Sequence, residues 1–277
     1  MNKNILDISV IIPFKNKAKM TIDCIESFAK FGPAVKEIML VSNNSSDSEL
    51  DIISNHIQQI KNVKLLEYNH PFNYQKINNW AVKQSTGRFV LFLNNDTELN
   101  THSAGLIEKM HSEAIKPNIG MVGCVLLYGD ESTIQHAGVY LRPGSLGDHI
   151  YVGKNYRKAL EQKDKLEFPY SLKADRYVTA VTGAVQLIEK NKFNKVSGFD
   201  ERFLICGGDV DLCIRLNEAG YHSMLISGGY IIHKESQSRS HKPVPYVDFY
   251  YSYISYMNGF DIKVGDKLSP KITENMR

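Results

Sequence analysis

Four short runs gather side chains able to do chemistry. In Leu93-Asn94-Asn95-Asp96-Thr97-Glu98 a carboxylate and two amides emerge abruptly from an apolar stretch. Mg²⁺ and Mn²⁺ prefer oxygen ligands and need one or two carboxylates when substrate phosphates complete the shell, so Asp96 fits a metal ligand. The same run also fits a turn that caps the helix expected near Ala104. Gly207-Gly208-Asp209-Val210-Asp211 sets two glycines ahead of an acidic helix start. Asp209 and Asp211, two residues apart, diverge on a helix, so one of them faces a ligand. Asp209 reads either as a cap worth ~1 kcal/mol or as a general base held at a cleft. Tyr230-Ile231-Ile232-His233 ends a strand in a histidine, a hydrogen-bonded structural residue or the completion of a metal site. Lys76 and Asn79 lie one helical turn apart and share a face, turned either to solvent or to phosphate.

The elements that must position these groups alternate. Ile8 to Pro13 is a β-branched run ended by proline, read as a buried strand. A helix follows with Ile22, Ile25, Phe28 and Ala29 on one face, stopped at Gly32-Pro33. Strands are expected at Glu37 to Val41, Val63 to Tyr68 and Phe89 to Leu93, with helices through Leu50, Ile53, Ile57 and Ile60 and over Gln75 to Gln84. That order implies a mostly parallel sheet whose ligand loops lie at the C-terminal ends of the strands. The polar clusters Pro13 to Lys17, Ser42 to Asp47 and Asn94 to Glu98 therefore converge on one edge. Beyond residue 100 the pattern is mixed: a helix at Ala104 to Ala114, a strand at Met121 to Leu126, and a glycine-rich stretch from Gly138 to Gly153 expected to move. A helix at Asp209 to Ala219 precedes two short strands, Ser223 to Ser227 and Tyr230 to His233. The tail from Tyr246 to Phe260 is crowded with tyrosine and phenylalanine, a surface expected to dock on its own domain.

At 277 residues the chain can bury a sizeable core. Its +3 charge comes from 33 basic and 30 acidic residues spread evenly, which excludes a basic nucleic-acid footprint. Cys24, Cys124, Cys206 and Cys213 offer no C-x-x-C spacing and read as reduced thiols of a cytoplasmic protein. Asp7 and Pro13 bracket too short an apolar run for a signal peptide or a span, so membrane work would be peripheral, on the inner face. The first strand leads to Pro13-Phe14-Lys15-Asn16-Lys17, not to G-x-G-x-x-G, and no phosphate-binding G-x-x-x-x-G-K-[ST] occurs, which weighs against an NAD-dependent oxidoreductase or a nucleotidyltransferase.

Nine segments in order from about residue 8 to 240 resemble family 2 glycosyltransferases of the GT-A fold, in particular the bacterial surface-polysaccharide, rhamnosyltransferase-like branch. They are Val10-Ile11-Ile12-Pro13, Asn43 to Asp47, Ser85-Thr86-Gly87-Arg88, Leu93 to Thr97, Gln135 to Val139, Thr182-Gly183-Ala184, Gly198 to Glu201, Asp209 to Cys213, and His233 with Ser236 to Arg239. The resemblance implies an α/β GT-A fold with a Rossmann-like, mostly parallel central sheet flanked by helices. One glycosyltransferase domain would span 1–240, with a nucleotide-sugar half at 1–99, a mixed acceptor and catalytic half at 100–240, and an aromatic tail at 241–277. It implies an inverting transfer from a nucleotide diphosphate sugar, UDP- or dTDP-linked, to a hydroxyl of a glycan, lipid-linked glycan or glycoprotein. Asp96 and His233 would hold Mn²⁺ or Mg²⁺, and Asp209 would be the catalytic base. Pro13, Phe14, Asn16, Asn43, Ser45, Asp47, Lys76, Asn79, Asn94, Asn95 and Gly183 would bind the donor. Three departures stand out: Ser42, Asn94 and Gly208 occupy positions where the family often has an acid. They motivate the alternative of an inactive pseudo-glycosyltransferase that binds a partner or glycan.

Overall fold

The β-branched run after Asp7 becomes β1 (Leu6–Phe14), the centre of the sheet, with Ile8, Val10, Ile11 and Ile12 fully buried. The structure, a computed structural model, describes residues 5–58, 60–141, 147–161, 171–234, 244–261 and 269–270. After β1 come α1 (Ala18–Phe31), β2 (Val35–Ser42), α2 (Asp47–Ile57), β3 (Val63–Glu67), α3 (Tyr74–Gln84) and β4 (Phe89–Leu93). α1 buries Thr21, Cys24, Ile25 and Phe28, and leaves Ala29 exposed, because Thr21 and Cys24 continue the Ile25–Phe28 stripe. Ile60 falls past the end of α2. α3 starts at Tyr74 because the side chain of Asn73 accepts the Lys76 amide at 2.8 Å.

The second half contains β5 (Thr97–Glu98), a 3₁₀ turn at Thr101–Ser103, α4 (Leu106–Ala114), β6 (Ile119–Leu127), β7 (Ile134–His136), β8 (Val139–Tyr140), β9 (Asp148–His149) and α5 (Tyr156–Glu161). Then follow β10 (Arg176–Val178), β11 (Val185–Glu189), α6 (Lys190–Lys195), α7 (Gly208–Glu218), β12 (His222–His233), α8 (Tyr246–Gly259), β13 (Phe260–Asp261) and β14 (Ser269–Pro270). The main path of the central sheet runs β10-β12-β6-β11-β4-β1-β2-β3. β3, β2, β1 and β4 pair in parallel, as βαβα order requires. β11 enters antiparallel between β4 and β6, and β6 pairs in parallel with β12.

Several expectations change here. β11 was not foreseen: it is covered on both faces, Gln186 included, so its sequence lacks the alternation that marks a half-buried strand. The two strands expected at 223–227 and 230–233 are one strand, β12, whose register with β6 shifts between Ile226 and Ile231, where Gly228 has φ 93°. The stretch from Gly138 to Gly153 is no free loop. Its two strands, β8 and β9, pair, and Val139, Leu141, Ile150 and Tyr151 are buried; residues 142–146 lie outside the described ones. In the tail, α8 packs against α7 and buries Tyr256, while Tyr246 and Tyr253 face solvent. Among the described residues no helix is long and apolar enough to cross a membrane.

At the end of the sheet away from the polar loops, Glu37 ties three strands together. Its buried carboxylate accepts the Ser9 hydroxyl at 2.6 Å, the Thr86 amide at 2.6 Å, the Thr86 hydroxyl at 2.8 Å and the Lys64 ammonium at 2.7 Å. Burial opposes the charge, but these donors outweigh it and hold the carboxyl at about 2, below its ordinary 4.5. Glu37→Gln should cost ~2 kcal/mol at neutral pH, measured by urea denaturation. Because the folded value is depressed, the contribution is complete above the ordinary 4.5 and is lost as pH falls toward 2. The variant should therefore lose less stability than wild type between pH 7 and pH 3.

Candidate active site

The loops after β1 and β2 are stitched together at the C-terminal edge of the sheet. The Asn16 amide donates to Ser45 Oγ at 2.8 Å, the Ser46 amide donates to Asn16 Oδ1 at 2.9 Å, and the Asn43 amide donates to Phe14 O at 2.8 Å. Phe14 itself is a core residue, 4% exposed, because its side chain points into the α1 side of the sheet. Asn43 is also buried: its Nδ2 donates to the carbonyls of Tyr68 and His70, so it braces the loop from behind. Pro13 is partly exposed at the end of β1, and Asp47 is exposed in the first turn of α2. Ser42, fully buried, accepts the Ser45 amide, so the hydroxyl in place of an acid shapes the loop.

Asp96 and His233 are brought together by backbone pairing across 137 residues of sequence. Thr97 pairs with His233 and Glu98 with Ile232 through β5 and β12, and the Lys234 amide donates to Asp96 O at 2.9 Å. The run from Asn94 to Thr97 is thus a tight turn into a strand, and the cap of the following 3₁₀ turn is Asn100. His233 Nδ1 lies 2.7 Å from Gln135 Oε1, an atom that can only accept, so the ring proton sits on Nδ1. On the other side of the ring Nε2 lies 3.0 Å from Asp96 Oδ1. A carboxylate oxygen and an imidazole nitrogen at this spacing can share a cation. About 3 Å is also the edge between neighbouring ligands around an octahedral ion with bonds of ~2.1 Å. Among the described residues no cluster of three or more His, Cys, Asp and Glu side chains could hold a metal, so a shell on this pair would take its other ligands from outside that set. Asn94 stands beside it, with Nδ2 3.3 Å from His233 Nε2 and Oδ1 accepting the Tyr74 hydroxyl at 3.3 Å. Asn95 turns its Nδ2 to Thr21 Oγ1 at 3.1 Å, because α1 packs under the turn.

Asp209 sits in the first turn of α7 with both oxygens engaged. The Gly183 amide donates to Oδ2 at 2.7 Å and the Val210 amide to Oδ1 at 2.9 Å. A Cβ on Gly183 would lie 3.3 Å from Asp209 Cβ, so glycine allows the close approach. His136, fully buried, accepts the Gly138 and Thr182 amides on Nε2 and so holds the loop that carries Gly183; burial keeps this imidazole neutral. Tyr74 joins the two halves of the site, donating to Gly183 O at 2.9 Å as well as to Asn94. Burial and the nearby Asp209 and Asp96 push its hydroxyl up, which keeps it a donor. Asp211 points the other way and pairs with Arg215 at 2.7 Å. A Cβ at Gly208 would come within 2.5 Å of the terminal amide of buried Gln75, which would have to shift.

A cleft of about 330 Å³ opens on Asp96. Lys19 in its wall pairs with Asp23 and Lys234 pairs with Glu98, whereas the Lys17 ammonium has no acidic partner among the described residues. A cation beside the Asp96–His233 pair suits phosphate oxygens. Lys76 is exposed, and Asn79 is taken up by the 198–201 loop: it donates to Phe199 O at 2.9 Å and accepts the Phe199 amide at 2.9 Å. Neither makes a described contact with Asp96 or Asp209, so the shared-face reading fails for Asn79, whose amide is saturated by protein. Burial pushes the Cys24 thiol to about 12, and it sits under the Asn94 turn as an inert packing residue. Lys17 closes one of the polar clusters expected at this edge, whereas Tyr74 and Gln135 are additions from the structure. Gln135 lies in a quoted segment and Tyr74 just ahead of an expected helix, but nothing in their spacing marked a role. The segment from Ser236 to His241 lies outside the described residues.

The model of Glycosyl transferase family 2 matches residues 9–170. The O-antigen biosynthesis protein RfbC of Myxococcus xanthus is 35% identical over 267 residues, 96% of this chain and 20% of that protein. A structure of GalNAc-T7 with UDP, GalNAc and Mn²⁺ superposes with a TM-score of 0.67 at 14% identity, covering 95% of this chain and 49% of the other. TarS of S. aureus in complex with UDP-GlcNAc gives a TM-score of 0.57 at 18% identity, over 88% and 64%. These two likenesses establish a shared fold. The chain spans 20% and 25% of the lengths of two curated relatives that it matches.

Proposed function

The chain belongs to glycosyl transferase family 2, and from that premise we propose that it moves a sugar from a nucleotide diphosphate donor to an acceptor hydroxyl, with inversion. The observation that carries the proposal is the close Asp96–His233 pair, backed by Gln135, on the same edge as the backbone-anchored Asp209. A divalent ion held by Asp96 and His233 would neutralise the diphosphate as it leaves. A carboxylate with an imidazole suits Mn²⁺ or Mg²⁺. Lys17 supplies a second positive charge to the phosphates. Asp209, oriented by Gly183 and Val210, takes the proton of the acceptor hydroxyl. That oxygen bonds to the anomeric carbon as the bond to the diphosphate oxygen breaks, and the nucleoside diphosphate departs with the electron pair. Asp96, His233 and Asp209 are all present and held by named contacts despite Asn94 and Gly208, which supports the enzyme over the inactive alternative.

UDP- or dTDP-linked sugars are the proposed donors; UDP accompanies GalNAc-T7 and UDP-GlcNAc accompanies TarS in their structures. The proposed acceptor is a surface glycan, lipid-linked glycan or glycoprotein, the first supported by the O-antigen biosynthesis role in the name of the RfbC relative. The proposed setting is the cytoplasm, peripheral to the inner face of a membrane. Nucleotide release from a panel of UDP- and dTDP-sugars with Mn²⁺, repeated after chelation, tests the reading. Release that chelation abolishes is expected, whereas donor binding without any release or transfer would overturn it. Gln135→Leu frees the His233 ring to rotate and is expected to weaken Mn²⁺ binding ~10–100-fold by titration calorimetry, with the fold intact.

A further inference from the structure

We propose that α8 braces the turn that carries the base and that Asp248 is a positioning residue for Asp209, an inference that rests on Asp209 being the base. Asp248 is fully buried, yet its carboxylate accepts three successive backbone amides: Leu204 at 2.7 Å, Cys206 at 2.9 Å and Ile205 at 3.0 Å. Successive amides turned to one anion form a concave nest, and here the anion is a side chain from the C-terminal helix. The clamped segment runs straight into Gly207, at φ 82°, then Gly208 and Asp209.

Three further contacts fix the same turn. Ser255 Oγ donates to Asp211 Oδ1 at 2.7 Å, on the side of α7 away from Asp209. Gly207 lies so close to Ser252 that a Cβ would not fit, and Gly208 lies equally close to Gln75 of α3. The base-bearing turn is therefore held between α3 and α8, and Asp209, tied to backbone at both oxygens, takes its position from that turn. α8 follows residue 240, beyond the segment matched by the family model, so this brace belongs to the part of the chain that the family match leaves out. A displacement of about 1 Å at a reacting group costs ~10²-fold in rate.

The test is a cycle in the full chain of wild type, Asp248→Asn, Asp209→Asn and the double variant, assayed by nucleotide release from the UDP- or dTDP-sugar that wild type turns over with Mn²⁺. Asp248→Asn removes the charge and presents an NH₂ group to amide donors. It is expected to lower kcat ~10–30-fold with KM for the donor within about twofold, and the double variant is expected to be no slower than Asp209→Asn. A merely structural role would instead slow the double variant by the full Asp248→Asn factor, and that additivity, or wild-type kcat in Asp248→Asn, overturns the proposal. Wild-type kcat in Asp209→Asn sinks the base assignment itself, a result distinct from the failure of Asp248 alone. If Asp248→Asn melts below the assay temperature, Ser255→Ala takes its place in the cycle. There a roughly threefold loss of kcat with the same lack of additivity supports the brace, and additivity overturns it.

Discussion

Asp96→Ala is expected to lower metal-dependent nucleotide release ~10³-fold while the protein melts within a few degrees of wild type. The rate effect follows from charge: Asp96 is the anionic half of the proposed ligand pair, and among the described residues no group of three or more His, Cys, Asp and Glu offers a replacement. Loss of several kcal/mol of electrostatic stabilisation at a departing diphosphate corresponds to ~10³ at 1.36 kcal/mol per tenfold. The small effect on stability follows from what holds the turn. The backbone of Asp96 accepts the Lys234 amide, and Thr97 pairs with His233 through main chain, so both survive the substitution. Removing a buried carboxylate also removes its desolvation cost. Release measured across a Mn²⁺ titration, with a thermal melt alongside, separates the two effects. Full activity in Asp96→Ala would sink the metal assignment.

The contrast between the two halves of the sheet explains what could be read in advance. In β1, β2 and β4 the buried strands are largely apolar and lead into polar loops after Phe14, Ser42 and Leu93, so local sequence marks both the strand and the loop at its end, although β1 runs on through Pro13 to Phe14. The convergence of those loops follows from parallel topology alone. The second half depends on pairing that local sequence does not encode. β11 slots between β4 and β6, and only that insertion lets Ala184 O accept the Asn94 amide and sets Gly183 beside Asp209. His233 reaches Asp96 because β12 bulges at Gly228 and pairs with two-residue β5.

Side-chain roles divided in a similar way. Groups whose chemistry is explicit, Asp96, His233 and Asp209, stood out by type. Phe14, Asn43 and Asn79 sat in the right segments but face the core or saturate backbone groups, whereas Asn95 lines the cleft while its Nδ2 donates to Thr21 Oγ1. Sequence position cannot tell a residue lining a pocket from one bracing it, since the two alternate along the same loop. Tyr74 shows the converse: a tyrosine ahead of a helix is common, and its role arises from reaching Gly183 and Asn94 together.

Asp209→Asn is expected to lower kcat ~10²–10⁴-fold and leave donor binding unchanged, because it removes a proton acceptor without touching the Asp96–His233 pair. The amide still offers one acceptor, so either the Gly183 or the Val210 amide keeps its partner and the other faces an NH₂ group, a local cost of ~1–2 kcal/mol that a melt will register. That cost is too small to account for the rate loss through unfolding. A stricter discriminator is the acidity of the acceptor. A base that removes the hydroxyl proton in the transition state matters less when that proton is already acidic, so the variant's deficit should shrink with fluorinated alcohols as surrogate acceptors. If Asp209 merely anchored the Gly183 loop, the deficit would be the same for every acceptor and donor affinity would fall with it. A constant deficit with weakened donor binding would therefore return Asp209 to the role of a helix cap.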